Sequence, residues 1–315
     1  VINLEIGRTR ISIDGRLTWA TTVNGTVPGP LIRLSEGQEV LLRVKNALAK
    51  TSSIHWHGLL LPPEMDGVPG VSFEGIAPGE TFEYRFTVRQ SGTYWYHSHS
   101  GFQEQTGVYG AIVIDPPEGP MPGMREHVVV LSDWTFTSPD RIFRNLKRYG
   151  GYYNYQRRTL ANLPEEEGAA LKDRLAWSRM RMDATDLSDV TGATYTFLMN
   201  GAASGWTGLF SEGEVVRLRF INASAATTFD VRTPGLPMTA VAADGMPVEP
   251  VETDEFRLAN AETLDVLVQP LRHAHTIFAE AMDRSGSVHG TLAVAPHLEA
   301  PIPERRPRPL LTMSD

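Results

Sequence analysis

Four histidines fall in two short stretches, Ile54-His55-Trp56-His57-Gly58 and Tyr94-Trp95-Tyr96-His97-Ser98-His99, each flanked by strand-forming residues. Side chains alternate faces along a strand, so His55 and His57 project to one side and Trp56 to the other, and His97 and His99 share a side in the same way. Two such strands lying together aim four imidazoles into one space. Neutral imidazoles with no thiolate suit copper, zinc, iron or nickel, and the affinity order favours copper at equal geometry. Imidazole ligates both Cu(I) and Cu(II), which a redox site requires. A hydrolytic zinc centre uses the same ligand types and stays open on these residues. The chain has 9 histidines in 315 residues, for which chance spacing gives about 0.25 His-x-His pairs in the whole chain. One pair is therefore a weak signal, and two in matching strand contexts a strong one. A third pair, His273 and His275, follows Gln269-Pro270 at a turn and reads as a surface or hydrogen-bonding pair. His127, His289 and His297 are isolated, and a structural role is expected of each.

The elements that position these residues are strands. Gly (28) and Pro (22) punctuate short segments rich in Val, Ile, Thr and aromatics, at the spacing of a sandwich or barrel. One pattern appears twice. Asn24-Gly25 followed by Leu34-Ser35-Glu36-Gly37-Gln38-Glu39-Val40-Leu41-Leu42-Arg43-Val44-Lys45-Asn46 is matched by Asn200-Gly201 followed by Phe210-Ser211-Glu212-Gly213-Glu214-Val215-Val216-Arg217-Leu218-Arg219-Phe220-Ile221-Asn222. In each copy a glycine turn leads into a strand whose apolar and basic residues alternate, as one buried face requires. The match continues with Pro78-Gly79-Glu80-Thr81-Phe82 against Asn260-Ala261-Glu262-Thr263-Leu264, and with Gly107 to Ile114 against Ser287 to Val294. Two domains of one fold follow, residues 1–118 and 119–298, divided near the proline-rich stretch Pro116 to Pro122, with 299–315 as a trailing linker. Aligning Thr93 to His99 with Thr276 to Met282 puts Glu280 and Met282 where the first domain has His97 and His99, so the second domain has lost the cluster and serves as spacer and packing partner.

Between Trp134 and Asn200 the character changes. Ser138-Pro139 starts a helix ending at Gly150, and Pro164-Glu165-Glu166-Glu167 opens a second with Leu171, Leu175 and Met182 on one stripe, which makes about 138–190 a helical insertion. Its basic residues, Arg141, Arg144, Lys147, Arg148, Arg157 and Arg158, interleave with Phe143, Tyr149, Tyr152, Tyr153 and Tyr155 and read as a solvated face. A net charge of -8 opposes binding to a nucleic-acid polyanion. No apolar run approaches the roughly 20 residues that a bilayer span takes. Cysteine is absent, which removes disulfides, thiolate metal sites and cysteine nucleophiles together.

Asn24-Gly25-Thr26-Val27-Pro28-Gly29-Pro30-Leu31-Ile32, His55-Trp56-His57-Gly58, Met65-Asp66-Gly67-Val68-Pro69 and His97-Ser98-His99 together resemble the first domain of the multicopper oxidases, a family that includes laccases, ascorbate oxidases and bacterial cuprous oxidases. The resemblance runs over nearly the full length and is most specific in the first domain. The inserted helices and the ending Arg308 to Asp315 resemble the periplasmic copper-resistance branch, which implies a periplasmic location. The implied fold is mainly β: two tandem cupredoxin-like Greek-key sandwich or barrel domains with a small helical insertion in the second. The implied cofactor is copper, with His55 a ligand of the type 2 ion and His57, His97 and His99 ligands of the type 3 pair. Asp66 matches an acidic residue that assists proton delivery to oxygen, although an Asp-Gly turn residue has the same signature.

The resemblance also implies absences. The family's type 1 copper needs a cysteine thiolate, and its remaining cluster histidines lie in a third domain as His-Pro-x-His-Leu-His and His-Cys-His motifs that do not occur here. The expectation is a portion of a longer oxidase that reduces O2 to water with Cu(I) or phenol-like reductants and is inactive without its C-terminal cupredoxin domain. A self-contained two-cupredoxin copper carrier is the alternative. A two-domain enzyme of the nitrite-reductase or small-laccase kind also needs a type 1 cysteine.

Overall fold

A computed structural model of the chain describes residues 1–148, 152–153 and 195–306. The first unit contains β1 (Ile2–Ile13), β2 (Arg16–Val23), β3 (Ile32–Ser35), β4 (Glu39–Asn46), β5 (His55–His57), β6 (Thr81–Thr87), β7 (Gly92–His97) and β8 (Tyr109–Asp115). They form two four-stranded sheets, β2-β1-β4-β6 and β3-β8-β7-β5. The second unit opens with β9 (Arg125–Trp134), β10 (Thr196–Met199), β11 (Trp206–Leu209), β12 (Val216–Asn222) and β13 (Phe229–Arg232). It continues with β14 (Met238–Ala243), β15 (Met246–Thr253), β16 (Glu255–Leu258), β17 (Thr263–Val268), β18 (Ala274–Ala281) and β19 (Ser287–Ala293). Its sheets run β10-β9-β12-β17-β14-β15 and β11-β19-β18-β13-β16. Removing β14, β15 and β16 leaves the strand order of the first unit, with β9 to β13 standing for β1 to β5 and β17 to β19 for β6 to β8. The architecture is the pair of tandem cupredoxin-like sandwiches expected from the sequence.

The repeated residues do the same work twice. Asn24 and Asn200 both adopt positive φ, 52° and 49°, ahead of a glycine that does the same. Each asparagine side chain clips the first strand of its unit: the Asn24 carboxamide accepts from Glu5 N and donates to Asn3 O, and that of Asn200 accepts from Val130 N and donates to Val128 O. At the end of β4, the fully buried Asn46 carboxamide donates to Lys50 O and Ile76 O and accepts from Leu48 N. Asn222, at the end of β12, donates to Thr227 O and Leu258 O and accepts from Ser224 N. A buried amide costs several kcal/mol unless its hydrogen bonds are made, so each asparagine fixes the loop that follows.

Each sandwich encloses its own core: Val40, Leu42, Val44, Trp56, Tyr84 and Tyr96 among others in the first, Leu218, Phe220, Phe229, Val266 and Ile277 in the second. Two further clusters join the units, Trp95, Tyr109 and Ala111 against Val130, Ile221 and Ala223, and Ile13 and Ala20 against Trp134 and Leu198. The β14–β15 turn reaches the first unit as well. Gly245, at φ 78°, has no room for a Cβ beside the Tyr94 ring. The helix α1 (Pro139–Arg148) starts where Ser138-Pro139 placed it, with Arg141 N and Ile142 N donating to Ser138 O. It buries Ile142 and exposes Phe143, whose ring meets Phe102 and lies under the Lys147 ammonium. The second expected helix, and Tyr149, Tyr155, Arg157 and Arg158, lie outside the described residues. No helix among the described residues is long and apolar enough to cross a membrane.

Charge also crosses the interface. The buried Arg219 guanidinium of β12 pairs with Glu126 at 2.6 Å and with Asp265 at 2.8 Å, and donates to Thr93 Oγ1 of β7 at 2.8 Å. The Thr93 hydroxyl in turn donates to Asp265 Oδ1 at 2.7 Å. Buried charges persist only where paired and hydrogen-bonded, so Thr93 completes the shell of an ion pair that belongs to the other unit. Thr93→Val keeps the shape and strands Asp265 Oδ1. Urea unfolding is expected to show a loss of about 1–3 kcal/mol, with a lower midpoint and an unchanged slope; an unchanged midpoint would mean that the hydroxyl carries no weight in holding the units together.

Candidate metal centre

Strands β5 and β7 pair antiparallel with His55 opposite His97, Trp56 opposite Tyr96 and His57 opposite Trp95. Trp56 and Tyr96 are fully buried in the first core, with Tyr84 edge-on to Trp56 at 5.1 Å. The pleat therefore turns His55, His57 and His97 to the outer face, and ring centroids lie 5.4 Å apart for His55 and His57, 5.5 Å for His55 and His97, and 5.4 Å for His57 and His97. Donor nitrogens of these three histidines come within 4.8 Å of one another. His99 differs from the expectation in one respect. The strand ends at His97, and His99 lies two residues beyond it in irregular chain, exposed, with its backbone N–H on Ser53 Oγ at 3.0 Å. Its ring nevertheless turns to the same place, 4.9 Å from His55 and 4.8 Å from His97.

Each ring is oriented by a partner. His55 Nδ1 lies 2.8 Å from the Asp66 carbonyl; a carbonyl only accepts, so Nδ1 carries the proton and Nε2 is left as a free donor atom. The Asp66 carboxylate stands 3.4 Å from the same nitrogen. The backbone there is brought close by a single 3-10 turn, Pro63–Met65, and by Gly67, which packs against the Ile54 carbonyl at φ 79° where no Cβ fits. Asp66 is thus a turn residue whose carboxylate also lies beside His55. His97 stacks on Trp95 at 4.1 Å and 12°, and its Nδ1 faces Glu104 Oε2 at 2.6 Å. His57 lies against the same indole at 5.1 Å, its Nδ1 3.3 Å from His97 Nε2. Burial, reinforced by the neighbouring imidazoles, lowers His57 to about 4 and His97 to about 3, and His99 moves down for the same reasons. Burial lifts Glu104 to about 7. His57 and His97, shifted this far, are neutral at neutral pH, and a neutral imidazole with a free lone pair is the state in which histidine holds a metal ion.

Glu104 and Trp95 escaped the sequence reading. The signal available for Glu104 was the polar run Gln103-Glu104-Gln105 soon after His99, between two strand segments; nothing marked Trp95 apart from its place in the strand.

The repeat can be followed into the second unit. There β13 pairs β18 with Asp230 opposite Glu280, Val231 opposite Ala279 and Arg232 opposite Phe278, the register that holds His55, Trp56 and His57 in the first unit. Glu280 stands where the sequence alignment put it. The Arg232 guanidinium lies over Phe278 at 4.9 Å, much as the His57 ring lies against Trp95. Ion pairs fill this space: Asp230 binds Arg257 at 2.8 Å and Arg284 at 2.6 Å, and buried Glu280 lies 3.8 Å from Arg232 and accepts from Arg306 N at 3.0 Å. His273 is exposed, beside Glu212 at 3.0 Å, and His275 is buried and accepts from Arg272 N at 3.2 Å, as surface and hydrogen-bonding residues do. His127 Nε2 donates to Leu209 O at 2.8 Å.

Comparison with known proteins agrees on one family. Family models described as multicopper oxidase match residues 5–119 and 125–296. A copper resistance protein A homolog of Pseudomonas syringae pv. tomato is 54% identical over 321 residues, covering 99% of this chain and 54% of its own length. The multicopper oxidase MmcO of Mycobacterium tuberculosis is 33% identical over 306 residues, covering 95% of this chain and 57% of its own. Among solved structures, a laccase from Botrytis aclada superposes with a TM-score of 0.71 at 27% identity, over 95% of this chain and 53% of that one. The chain spans about half the length of these relatives.

The ion-pair cluster of the second unit makes its own pH dependence. Burial pushes the Asp230 carboxyl upward, but hydrogen bonds from Arg257 and Arg284 outweigh it and hold the group below its ordinary value, with Glu280 the nearest like charge. A depressed carboxyl stabilises the fold fully above its unfolded value of about 3.9 and ceases to do so as pH falls through the folded value. Thermal unfolding of Asp230→Asn is expected to fall well below that of the unmodified chain from pH 5 to 7, with the gap closing in acid. A gap that stays constant down to pH 2.5 would show that the loss is one of packing.

Proposed function

The chain belongs to the multicopper oxidase family, and on that footing we propose that His55, His57, His97 and His99 are its share of a trinuclear copper cluster, in a protein that reduces O2 to water with electrons from Cu(I) or phenol-like reductants. Membership implies copper. The single observation that carries the finer reading is the convergence of four imidazoles, three with donor atoms within 4.8 Å, with no carboxylate or thiolate in the set. Such donors fit an ion that must be held in two oxidation states. Bound copper ions supply the one-electron steps that dioxygen requires. We assign His55 to the type 2 ion and His57, His97 and His99 to the type 3 pair, from the matching positions of the family.

The chain's own residues prepare the site. The Asp66 carbonyl and the Glu104 carboxylate fix which nitrogen of His55 and His97 is free. Trp95 closes one side of His57 and His97 with an apolar wall. Reduction of O2 to water consumes one proton with each electron, and the half-exposed Asp66 carboxylate, 3.4 Å from His55 Nδ1, is placed to take protons from solvent and pass them inward. Electron entry is a separate matter. A type 1 copper takes a thiolate beside two imidazoles, and the chain has no cysteine, so that site and the remaining cluster ligands come from outside these 315 residues. The division into domains 1–118 and 119–298 and a periplasmic location belong to the same reading.

Copper content by mass spectrometry of the chain grown with copper and zinc both supplied tests it. Copper is expected in the unmodified chain and is expected to be lost in His57→Ala and His97→Ala; zinc in its place, or copper indifferent to both substitutions, would refute the assignment. An oxygen electrode is expected to register no turnover by the chain alone with Cu(I) or a phenol. Steady copper-dependent O2 consumption would contradict the need for a further site.

A further inference from the structure

His97 is held on two sides by groups that reach the second unit. On one face the Trp95 indole stacks on its ring, and the indole N–H donates to Ala261 O at 3.2 Å, in the loop before β17. At its edge the Glu104 carboxylate meets Nδ1, and the next residue, the buried Gln105, donates to Asp133 at the end of β9, to its backbone O at 2.9 Å and to its Oδ1 at 3.3 Å. Asp133 is itself held on the other side: its carboxylate accepts from Ala225 N and Ala226 N, each at 3.1 Å, and from Thr227 Oγ1 at 2.8 Å. Gln103 turns the other way and ties the same loop to its own unit, accepting from Ser52 Oγ at 2.6 Å and donating to Thr51 O at 2.9 Å. Three consecutive side chains thus point in three directions, one to each unit and the middle one to His97.

We propose that the second unit is a positioning element of the copper centre: Asp133 through Gln105 and Glu104, and Ala261 through Trp95, set the ring plane and the free nitrogen of His97. This goes beyond the spacer role expected of that unit, and it rests on the reading of His97 as a copper ligand. A metal-bound histidine whose other ring nitrogen donates to a carboxylate is fixed in tautomer and made more basic, and losing that partner costs about 10–100-fold in affinity. The geometry assigns the partner to Glu104 and the anchoring of that partner to the neighbouring sandwich. Gln105→Leu and Trp95→Phe remove the two hydrogen-bonded arms, while the three donors to the Asp133 carboxylate from residues 225–227 remain and phenylalanine keeps a ring against His97, at the expense of some packing in the cluster around Trp95.

Two measurements on the same proteins test this. Long-range 1H–15N NMR of the metal-free chain at pH 8 reads the tautomer of each histidine. His97 is expected as the Nδ1–H form in the unmodified chain and in Glu104→Gln, whose amide oxygen still accepts, and as a mixture in Glu104→Leu; Gln105→Leu and Trp95→Phe are expected to shift or broaden the His97 resonances while leaving those of His127 and His275 unchanged. Titration with Cu(II) against a competing chelator is expected to show a loss of about 10–100-fold in Glu104→Leu, a smaller loss in Gln105→Leu and in Trp95→Phe, and affinity restored in Glu104→Gln. Variants that unfold more easily yet keep the His97 tautomer and the Cu(II) affinity would overturn the proposal and leave Gln105 and Trp95 as packing residues. If the unmodified chain binds no Cu(II), the copper reading fails, and the NMR result alone then decides whether the second unit positions His97.

Discussion

Three residue pairs between β5 and β7 decide where the imidazoles go. A strand that slips by one residue carries every side chain to the opposite face, which here would drive His55, His57 and His97 into the core and expel Trp56 and Tyr96. That slip is prevented on the apolar side. Trp56, Tyr84 and Tyr96 are fully buried, with Trp56 in ring contact with both tyrosines, and burying an aromatic side chain stabilises by roughly 1.5–3 kcal/mol, so their exposure would cost more than a marginally stable domain can lose. The aromatic packing behind the strands is therefore what aims the histidines in front of them. The Tyr96 hydroxyl adds a fixed point by donating to Pro30 O at 2.9 Å, at a place where Gly29 and Gly110 leave no room for a Cβ.

Most of this was legible in the sequence because it is local. Alternation within β4 and β5 gives the buried face, and the paired Asn-Gly turns and the paired Asn46 and Asn222 mark the repeat, since each is a short pattern that recurs in the same order in both units. What stayed hidden depends on contacts that no local pattern encodes. Trp95 touches Ala261 and Thr93 touches Asp265 across more than 160 residues of chain, and Gln105 reaches Asp133 across an interface whose existence the repeat implied but whose register it did not. His99 departs from strand alternation for a related reason. Ser53 captures its backbone N–H and also meets Ser100 Oγ, a side-chain competition that takes over where the strand ends at His97.

The two units show how one backbone register accommodates opposite chemistry. In the first, the outward positions of the paired strands carry imidazoles, and burial and mutual repulsion keep those of His57 and His97 uncharged. In the second, the same positions carry Asp230, Arg232 and Glu280, whose charges survive burial because each meets a counter-charge: Arg257 and Arg284 for Asp230, Arg232 and Arg284 for Glu280. The ion pairs are self-contained and also bind the segment that follows β19, since Glu280 accepts from Arg306 N and Arg232 donates to Glu304 O. A filled, neutralised cluster leaves no lone pair seeking an ion. The histidine cluster is the reverse case: its donors face one another rather than partners of their own.

Such an arrangement has a cost in the metal-free chain, and the fold meets it by rigidity. Lone pairs held toward one another gain nothing from the protein, so free rings would rotate to hydrogen-bond with solvent. Rotation is opposed at each ring by a different means. His55 is held through a hydrogen bond to a backbone carbonyl placed by a tight turn, His57 and His97 by stacking on an indole, and His97 by a carboxylate at its edge. Metal ligands arranged before the ion arrives require little reorganisation on binding, and a redox centre gains further because the same frame serves both oxidation states. The restraints on His97 come partly from residues of the second sandwich, so the rigidity of the centre depends on how firmly the two units are joined. On the proposed reading of His97 as a copper ligand, the buried Arg219, Thr93 and Asp265 network and the Trp95 cluster therefore serve the site as well as the stability of the fold.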